Sequence, residues 1–441
     1  MAKAMAIPRA GGPSAAPPAY AAYAPPYAAR PTTVAAFPLR ERLLLIVIYI
    51  AALMSSVAFI EPSPHDALMG VLALACLVAG VRFDRRLAVL FLLLLIWNVG
   101  GLLSLMNVPG KEKTVQFAAT SVYLAVAATM WACIFSDNTM ARLTAMRSAY
   151  ILTAGIVAAA GIAGYLSLFP HAHALFAPEG RALGFFKDPN VYGPFMIWPA
   201  LVLMERMLVH RLRLLDVAML GTIVVALLLA FSRGAWFHFA VSALAMATLA
   251  FLTARRQNTR LRIFVMSAVA VGTLAAFVAI LLSIPAIHQM FEVRAHLLQS
   301  YDVGQGGRFR LQELALSALL GAPNGLGPFG FASTHVNQQH NVYLQAFLVY
   351  GWVGGVSYIL LLLTTFAVAL RSVFTPTPWQ AYIVTALAAF TGEVAEGFII
   401  DSDHWRHFFL LLGIIWGLWA ATSRYRRQHL QPAPGYLRTA I

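Results

Sequence analysis

Residues 87–106 read LAVLFLLLLIWNVGGLLSLM, twenty positions without a charged side chain. A helix needs about 20 apolar residues to cross the ~30 Å hydrocarbon core of a bilayer, so this stretch reads as a transmembrane span. Comparable runs recur at 43–60, 66–82, 114–135, 146–168, 191–209, 214–232, 235–254, 262–283, 342–370, 379–400 and 407–423. The chain is therefore expected to be an all-α integral membrane protein with about twelve transmembrane helices.

Composition points the same way. Of 441 residues, 60% are hydrophobic and 11% charged, against about 25% charged in a soluble domain. That excludes a soluble globular protein. The formal charge of +14 does not imply a nucleic-acid partner, because the basic residues punctuate apolar runs instead of gathering on one soluble face. Cys76 and Cys133 both lie inside apolar runs, which leaves no disulfide framework and no thiolate metal cluster.

Residues 1–38 are rich in Ala, Pro and Tyr, as in PPAYAAYAPPYAARP, and cannot bury enough apolar area to offset their ordering entropy. A disordered cytoplasmic tail is expected there, with no apolar run that would make a cleavable signal. A polytopic domain is expected over 39–427 and a short cytoplasmic tail over 428–441.

Orientation follows from the arginines. With the N-terminus inside, the inner connections carry Arg82/Arg85/Arg86, Arg142/Arg147, Arg206/Arg211/Arg213, Arg255/Arg256/Arg260/Arg262, Arg371 and Arg424/Arg426/Arg427. Every dense basic cluster then falls on the cytoplasmic side. Two outer connections are long, His171 to Asn190 and Ile284 to His340. A loop of the second length is usually functional. It contains an amphipathic segment, Arg308 to Leu320, whose Phe309, Leu311, Leu314, Leu316 and Leu319 suit a membrane surface or the bundle.

Chemistry concentrates in these outer connections. GRALGFFKDPNVYGPF, residues 180–195, carries Arg181, Lys187 and Asp188. Asp188–Pro189–Asn190 supplies a turn, with Asn190 as the expected N-cap of the next span. Arg181 is an outer cation that works against the topology bias unless it binds something. In FSRGAW, residues 231–236, Arg233 presents a planar fork suited to phosphate or carboxylate, or else snorkels to headgroups.

The third constellation is GGRFRLQE (306–313), GLGPFGF (325–331) and HVNQQHNVYLQ (335–345). Its glycines favour unusual backbone or close approach to a ligand. His340, beside Asn341, titrates near neutrality and suits a general base; a histidine bonded to backbone at a helix start is the plainer alternative. His171/His173 and His335/His340 lack the acidic and cysteine partners of a zinc site, so no metal is expected. Glu393 and Glu396 lie one turn apart in an apolar run, where carboxylates are expensive and face the bundle interior. They suit holding Arg233 or Arg308, relaying protons, or packing helices.

Arg181…Asp188–Pro189–Asn190, Ser232–Arg233–Gly234, Gly325–Leu326–Gly327–Pro328, His340 to Gln345 and Gly351…Gly354, in this order and all on the outer face, resemble the O-antigen ligase and O-antigen polymerase superfamily. The resemblance covers roughly residues 40–423. It implies a C-type glycosyltransferase-like bundle with a large periplasmic loop, 284–340, containing short helices. It also implies a bacterial inner-membrane location, with both termini cytoplasmic and the active site facing the periplasm.

The activity implied is transfer of a glycan from undecaprenyl diphosphate to lipid A-core or another glycan acceptor, without a cofactor. Arg181, Arg233 and Arg308 are expected to hold the diphosphate and His340 to act as base in one inverting displacement that requires no metal. Asn341, Glu393, Glu396, Lys187 and Arg310 are expected to support them. The same donor would serve a polymerase of O-antigen or exopolysaccharide repeat units. About twelve spans also suit a transporter or lipid-linked oligosaccharide flippase, whose binding residues would lie near the midplane.

Overall fold

The computed structural model describes residues 37–60, 62–108, 112–210, 212–295, 306–335 and 337–429. The expected tails lie almost wholly outside the described residues, as does the middle of the 284–340 segment. Among the described residues there are helices and turns and no strand. The first half of the chain forms α1 (Leu39–Leu53), α2 (Pro64–Ala79), α3 (Ala88–Ser104), α4 (Glu112–Ser136), α5 (Thr139–Tyr165), α6 (Ala172–Phe176), α7 (Pro189–Phe195) and α8 (Ile197–Val209). The second half forms α9 (Leu214–Leu229), α10 (Arg233–Thr253), α11 (Gln257–Leu282), α12 (Pro285–Ala295), α13 (Arg308–Gly321), α14 (Val342–Val373), α15 (Gln380–Glu396) and α16 (Arg406–His429).

Every apolar run read from the sequence falls on a helix. Among the described residues, however, seven helical stretches are both long and apolar enough to cross a membrane: Arg85–Asn107, Glu112–Ser136, Thr139–Tyr165, Arg233–Thr253, Gln257–Leu282, Val342–Val373 and Arg406–His429. The remaining runs give α1, α2, α8, α9 and α15, each shorter than the ~20 residues a full crossing needs. Local chemistry sets some of these limits. Ser63 and Asp66 close a reciprocal capping box at the start of α2, with Ser63 N–H donating to Asp66 Oδ2 at 2.8 Å, and Gly80 ends the helix at φ +74°.

The single span expected over 191–209 is two helices. Pro194 and Pro199 remove two N–H donors from the ladder, and the chain breaks at Met196 between α7 and α8. Asn190 is not the N-cap expected there. Asp188 is, its Oδ1 accepting from Asn190 N–H at 2.8 Å, with Pro189 in the first helical position.

The most extensive helix packing is between α16 and α4, α10 and α15, and α14 and α3. Small residues make them possible, as expected where lipid supplies little hydrophobic drive between helices. A Cβ on Gly417 of α16 would lie 2.7 Å from Ala132 O of α4, and one on Gly100 of α3 would lie 3.0 Å from Gly354 N of α14. At the other extreme, α11 buries only Ile263 and leaves Leu261, Phe264, Val269 and Val271 exposed. A helix so apolar and so uncovered is solvated by lipid; the chain is a membrane protein.

The span expected over 342–370 is interrupted at Gly351, which sits at φ +67°, ψ −179°, a region open essentially to glycine alone. The break frees backbone groups, and the 323–326 turn takes them up. Trp352 N–H donates to Pro323 O at 2.9 Å, and Leu326 N–H to Leu348 O at 2.6 Å. The close approach expected of the Gly325–Pro328 glycines is therefore to α14: a Cβ on Gly325 would lie 2.8 Å from Gly351 N. On α13 the buried stripe is Leu311, Ala315 and Leu319, packed on Phe331 and Leu348. Phe309 and Leu316 are exposed, so of the two settings expected for this segment the bundle takes Leu311 and Leu319 but not these two.

The two ends of the bundle differ in character. One gathers the start of α1, the α2–α3 and α4–α5 connections and the end of α16 around Arg40, Arg82, Arg142 and Arg424. There Arg142 and Glu41 form a buried bidentate pair at 2.8 and 2.9 Å. The other end gathers residues 181–190, the α9–α10 turn, the start of α13, the start of α14 and the α15–α16 connection.

Candidate active site

The second end encloses a cavity of about 660 Å³. Its polar lining is Arg181, Asp188, Asn190, Ser232, Arg233, Arg308, His340 and Asp401, and its apolar lining includes Phe231, Phe237, Phe309, Ile399 and Trp405. The three expected diphosphate-binding arginines and the expected base thus come from four separate segments into one space. Two helices also aim their amino ends at it. Ser232 caps α10, its Oγ accepting from Ala235 N–H at 3.3 Å, and Arg233 is the first residue of that helix. Arg308 likewise begins α13. Helix amino ends and guanidinium groups together favour an anion.

Arg181 is buried. Its Nε donates to Ala230 O at 2.9 Å and its Nη2 to Asn190 Oδ1 at 3.1 Å, while Ser232 Oγ donates to the same Asn190 oxygen at 2.8 Å. Asn190, expected to cap a helix, instead ties the 180–190 connection to the α9–α10 turn and so fixes Arg181 beside Arg233. The spacing between these two cations is set by an amide that belongs to neither.

His340 occupies the left-handed region at φ +48°, which is uncommon for any residue but glycine. The surroundings hold it there. Gln312 of α13 donates to its carbonyl at 3.3 Å, and the next N–H, of Asn341, donates to Asp401 Oδ1 at 2.9 Å. Asn341 Oδ1 accepts from Tyr343 and Leu344 N–H at 3.0 and 3.1 Å, making Asn341 the N-cap of α14. Its place in the site is to start the helix beneath the base.

Asp401 completes the arrangement and was not singled out from the sequence. Its Oδ2 lies 3.6 Å from His340 Nδ1. Burial, with Asp403 nearby, raises its carboxyl to about 7. Burial, with the Arg308 guanidinium, lowers the His340 imidazole below its usual 6.5, against a smaller opposite pull from Asp188. Burial thus moves the carboxyl up and the imidazole down, so the usual gap between the two groups is narrowed or reversed. An acidic residue in the short connection leaving the carboxylate-bearing span was the signal available.

The remaining expected residues are placed differently. Lys187 is exposed and does not line the cavity. Arg310 points away and pairs with Glu313 at 2.6 Å within one turn of α13, because residues three apart share a helix face. Glu393 and Glu396 are buried at the end of α15, below the cavity, where Glu396 Oε2 lies 2.8 Å from His238 Nδ1. His238 went unnoticed because its partner belongs to another helix. His335 stacks on Phe331 at 4.0 Å, and His171 immediately precedes the short α6 at its N-cap position. Among the described residues no group of three or more His, Cys, Asp or Glu is arranged to hold a metal ion.

The chain matches no curated protein. Residues 218–359 match the O-antigen ligase family, a segment that runs from α9 through the kink of α14 and contains Arg233, Arg308 and His340. Arg181 and Asp401 fall outside that segment. Over residues 218–359 the chain is thus similar to the O-antigen ligase family.

Proposed function

We propose that this chain is a glycosyltransferase of the inner membrane that moves a glycan from undecaprenyl diphosphate to a hydroxyl of an acceptor sugar, the acceptor being lipid A-core. The observation that carries the reading is the convergence of Arg181, Arg233 and Arg308 with His340 in one cavity at one end of the bundle. A diphosphate leaving group asks for fixed positive charge where its own charge develops. An acceptor hydroxyl asks for a base whose neutral form predominates near neutrality.

In the reaction His340 takes the proton of the acceptor hydroxyl as that oxygen attacks the anomeric carbon. The bond from that carbon to the diphosphate oxygen breaks on the opposite face, inverting the configuration. The leaving diphosphate carries away the bonding pair, and its charge is met by the guanidinium groups and the amino ends of α10 and α13. Asp401 stabilises the imidazolium through Nδ1, which leaves Nε2 for the acceptor.

The arginine-rich end around Arg40, Arg82 and Arg424 suits the cytoplasm by the positive-inside rule, which puts the cavity on the periplasmic side. The five shorter helices, each short of a full crossing alone, are read together with their adjoining turns as completing about twelve crossings, with the 284–340 segment as the periplasmic loop. A site at one end of the bundle favours an enzyme over a carrier, whose site would lie near the midplane. The family description favours a ligase over a polymerase.

The test is transfer by the purified protein from a lipid-linked glycan, offered either lipid A-core or a second lipid-linked repeat unit. Product on lipid A-core alone is expected. Product on the second repeat unit alone would replace the ligase with a polymerase, and none on either would remove the enzyme reading.

A further inference from the structure

Directly under the cavity, four ionisable side chains from three helices meet almost without exposure: His238 of α10, Glu393 and Glu396 of α15, and His407 of α16. The proton count of one pair follows from its bonds. His238 Nε2 lies 3.1 Å from Ala389 O, an oxygen that only accepts, so Nε2 carries a hydrogen. Nδ1 lies 2.8 Å from Glu396 Oε2, and a lone pair facing a carboxylate at that distance is repulsive. A second proton therefore lies between them, on imidazolium or on carboxylic acid, and the pair is neutral overall.

The neighbouring groups are less well provided for. Glu393 Oε2 stands 4.0 Å from His238 Nδ1 and 3.5 Å from His407 Nε2. Both Glu393 oxygens, Glu396 Oε1 and His407 Nε2 are buried without a hydrogen-bond partner, which is costly unless something fills the gap. A cavity of about 10 Å³ lined by His238, Glu393 and His407 adjoins them, room for about one water molecule.

Only one residue's backbone separates this cluster from the cavity above. A Cβ on Gly234 would lie 2.6 Å from Glu396 Oε1, and Gly234 lines the cavity beside Arg233. We propose that the His238–Glu396 pair, hydrated through the small cavity, is a proton-holding positioning site for Arg233. While the proton is held, the floor is neutral and the Arg233 charge serves the cavity. When it is lost, a buried carboxylate charge beneath Arg233 competes for that guanidinium and repels the diphosphate.

Other charged and titratable groups face the pair. Tyr150 of α5 and Tyr343 and Tyr358 of α14 approach Glu393. Arg181, Arg308, Asp188, His340 and Asp401 line the cavity on the other side of Gly234. His340, lowered below 6.5 by burial and Arg308, is already neutral across the alkaline range, and Asp401, raised to about 7 by burial, is ionised before it.

The inference rests on the cavity being a diphosphate site. The test is binding of farnesyl diphosphate to the purified full chain from about pH 8 upward, above the range in which Asp401 titrates. Wild-type affinity is expected to fall by about tenfold, the coupling of one pKa unit, whereas Glu396→Gln remains flat and His340→Gln keeps the wild-type slope. A flat wild-type profile, or a slope that survives in Glu396→Gln, overturns the proposal and leaves the diphosphate reading standing. No wild-type binding at any pH overturns both. Melting curves check that each variant folds, and the wild-type profile decides by itself if neither does.

Discussion

His340 Nδ1 lies 3.6 Å from Asp401 Oδ2, while the other oxygen of that carboxylate accepts the Asn341 N–H at 2.9 Å. One carboxylate therefore both pins the backbone that carries the histidine and faces its ring. The α15–α16 connection and the start of α14 are locked together further by Val342 N–H donating to Gly397 O at 2.9 Å. The position of the base is thus set by this short segment, while burial and Arg308 of α13 set its proton affinity.

Replacing His340 with Ala is expected to lower transfer by on the order of 10²–10⁴-fold, the contribution of a positioned general base. Expression and melting should be unchanged, because the side chain is about half exposed and the helix cap belongs to Asn341. Near-normal turnover by purified His340→Ala in a lipid-linked donor assay would remove the histidine from the chemistry.

Transfer should fall as the medium is acidified. Burial and Arg308 lower the His340 imidazole below 6.5, so its neutral form is already present at pH 7 and is lost only below that value. The rate is expected to rise with pH through an apparent value under 6.5 and then level. Asp401→Asn keeps an oxygen for the Asn341 N–H but no longer stabilises the imidazolium. Because the Asp401 carboxyl is raised to about 7, that support is present mainly above pH 7, and kcat there should fall by about tenfold. An unchanged kcat above pH 7 in Asp401→Asn contradicts the pairing.

Arg233→Ala should cost on the order of 10²–10³-fold in transfer, the range for removing one preorganised group that stabilises developing charge. Arg233→Lys should recover only part, since an ammonium does not reproduce the planar fork. Asn190→Ala is the informative companion. It removes the oxygen shared by Arg181 and Ser232 and should weaken donor binding although Asn190 carries no charge. Unchanged KM for the lipid donor in Asn190→Ala would mean that the two arginines are placed independently.

Residues 87–106 and the runs like them were legible because lipid demands an apolar length, and that demand is written locally. Arg181, Arg233 and Arg308 were legible for the opposite reason, as cations where the topology bias disfavours them. Asp401 and His238 were not, because their meaning depends on which elements pack together. His238 becomes half of a pair only once α10 lies on α15. Arg310 was chosen for its charge, although Glu313 three residues on was in view and takes it. The glycines at 325–327 were seen to favour unusual backbone or close approach to a ligand. Gly325 and Gly327 do sit at φ +76°, but what Gly325 approaches is the broken turn at Gly351 on another element, which no local pattern reveals.

That pairing supports a prediction about stability instead of chemistry. Gly351 at φ +67°, ψ −179° lies where a side chain adds strain of about 1–3 kcal/mol. A Cβ there would also stand 2.9 Å from Pro323 O, the acceptor of Trp352 N–H. Gly351→Ala should therefore lower the melting temperature and expel the 323–326 turn. Because α13 packs through Leu319 and Leu348 against the same region, the loss should reach Arg308 and Gln312 and lower transfer as well. Gly221→Ala, in a helix with nothing within 4 Å of the added carbon, is the control and should melt like the wild type. Equal melting of the two variants would show that the kink in α14 does not depend on glycine.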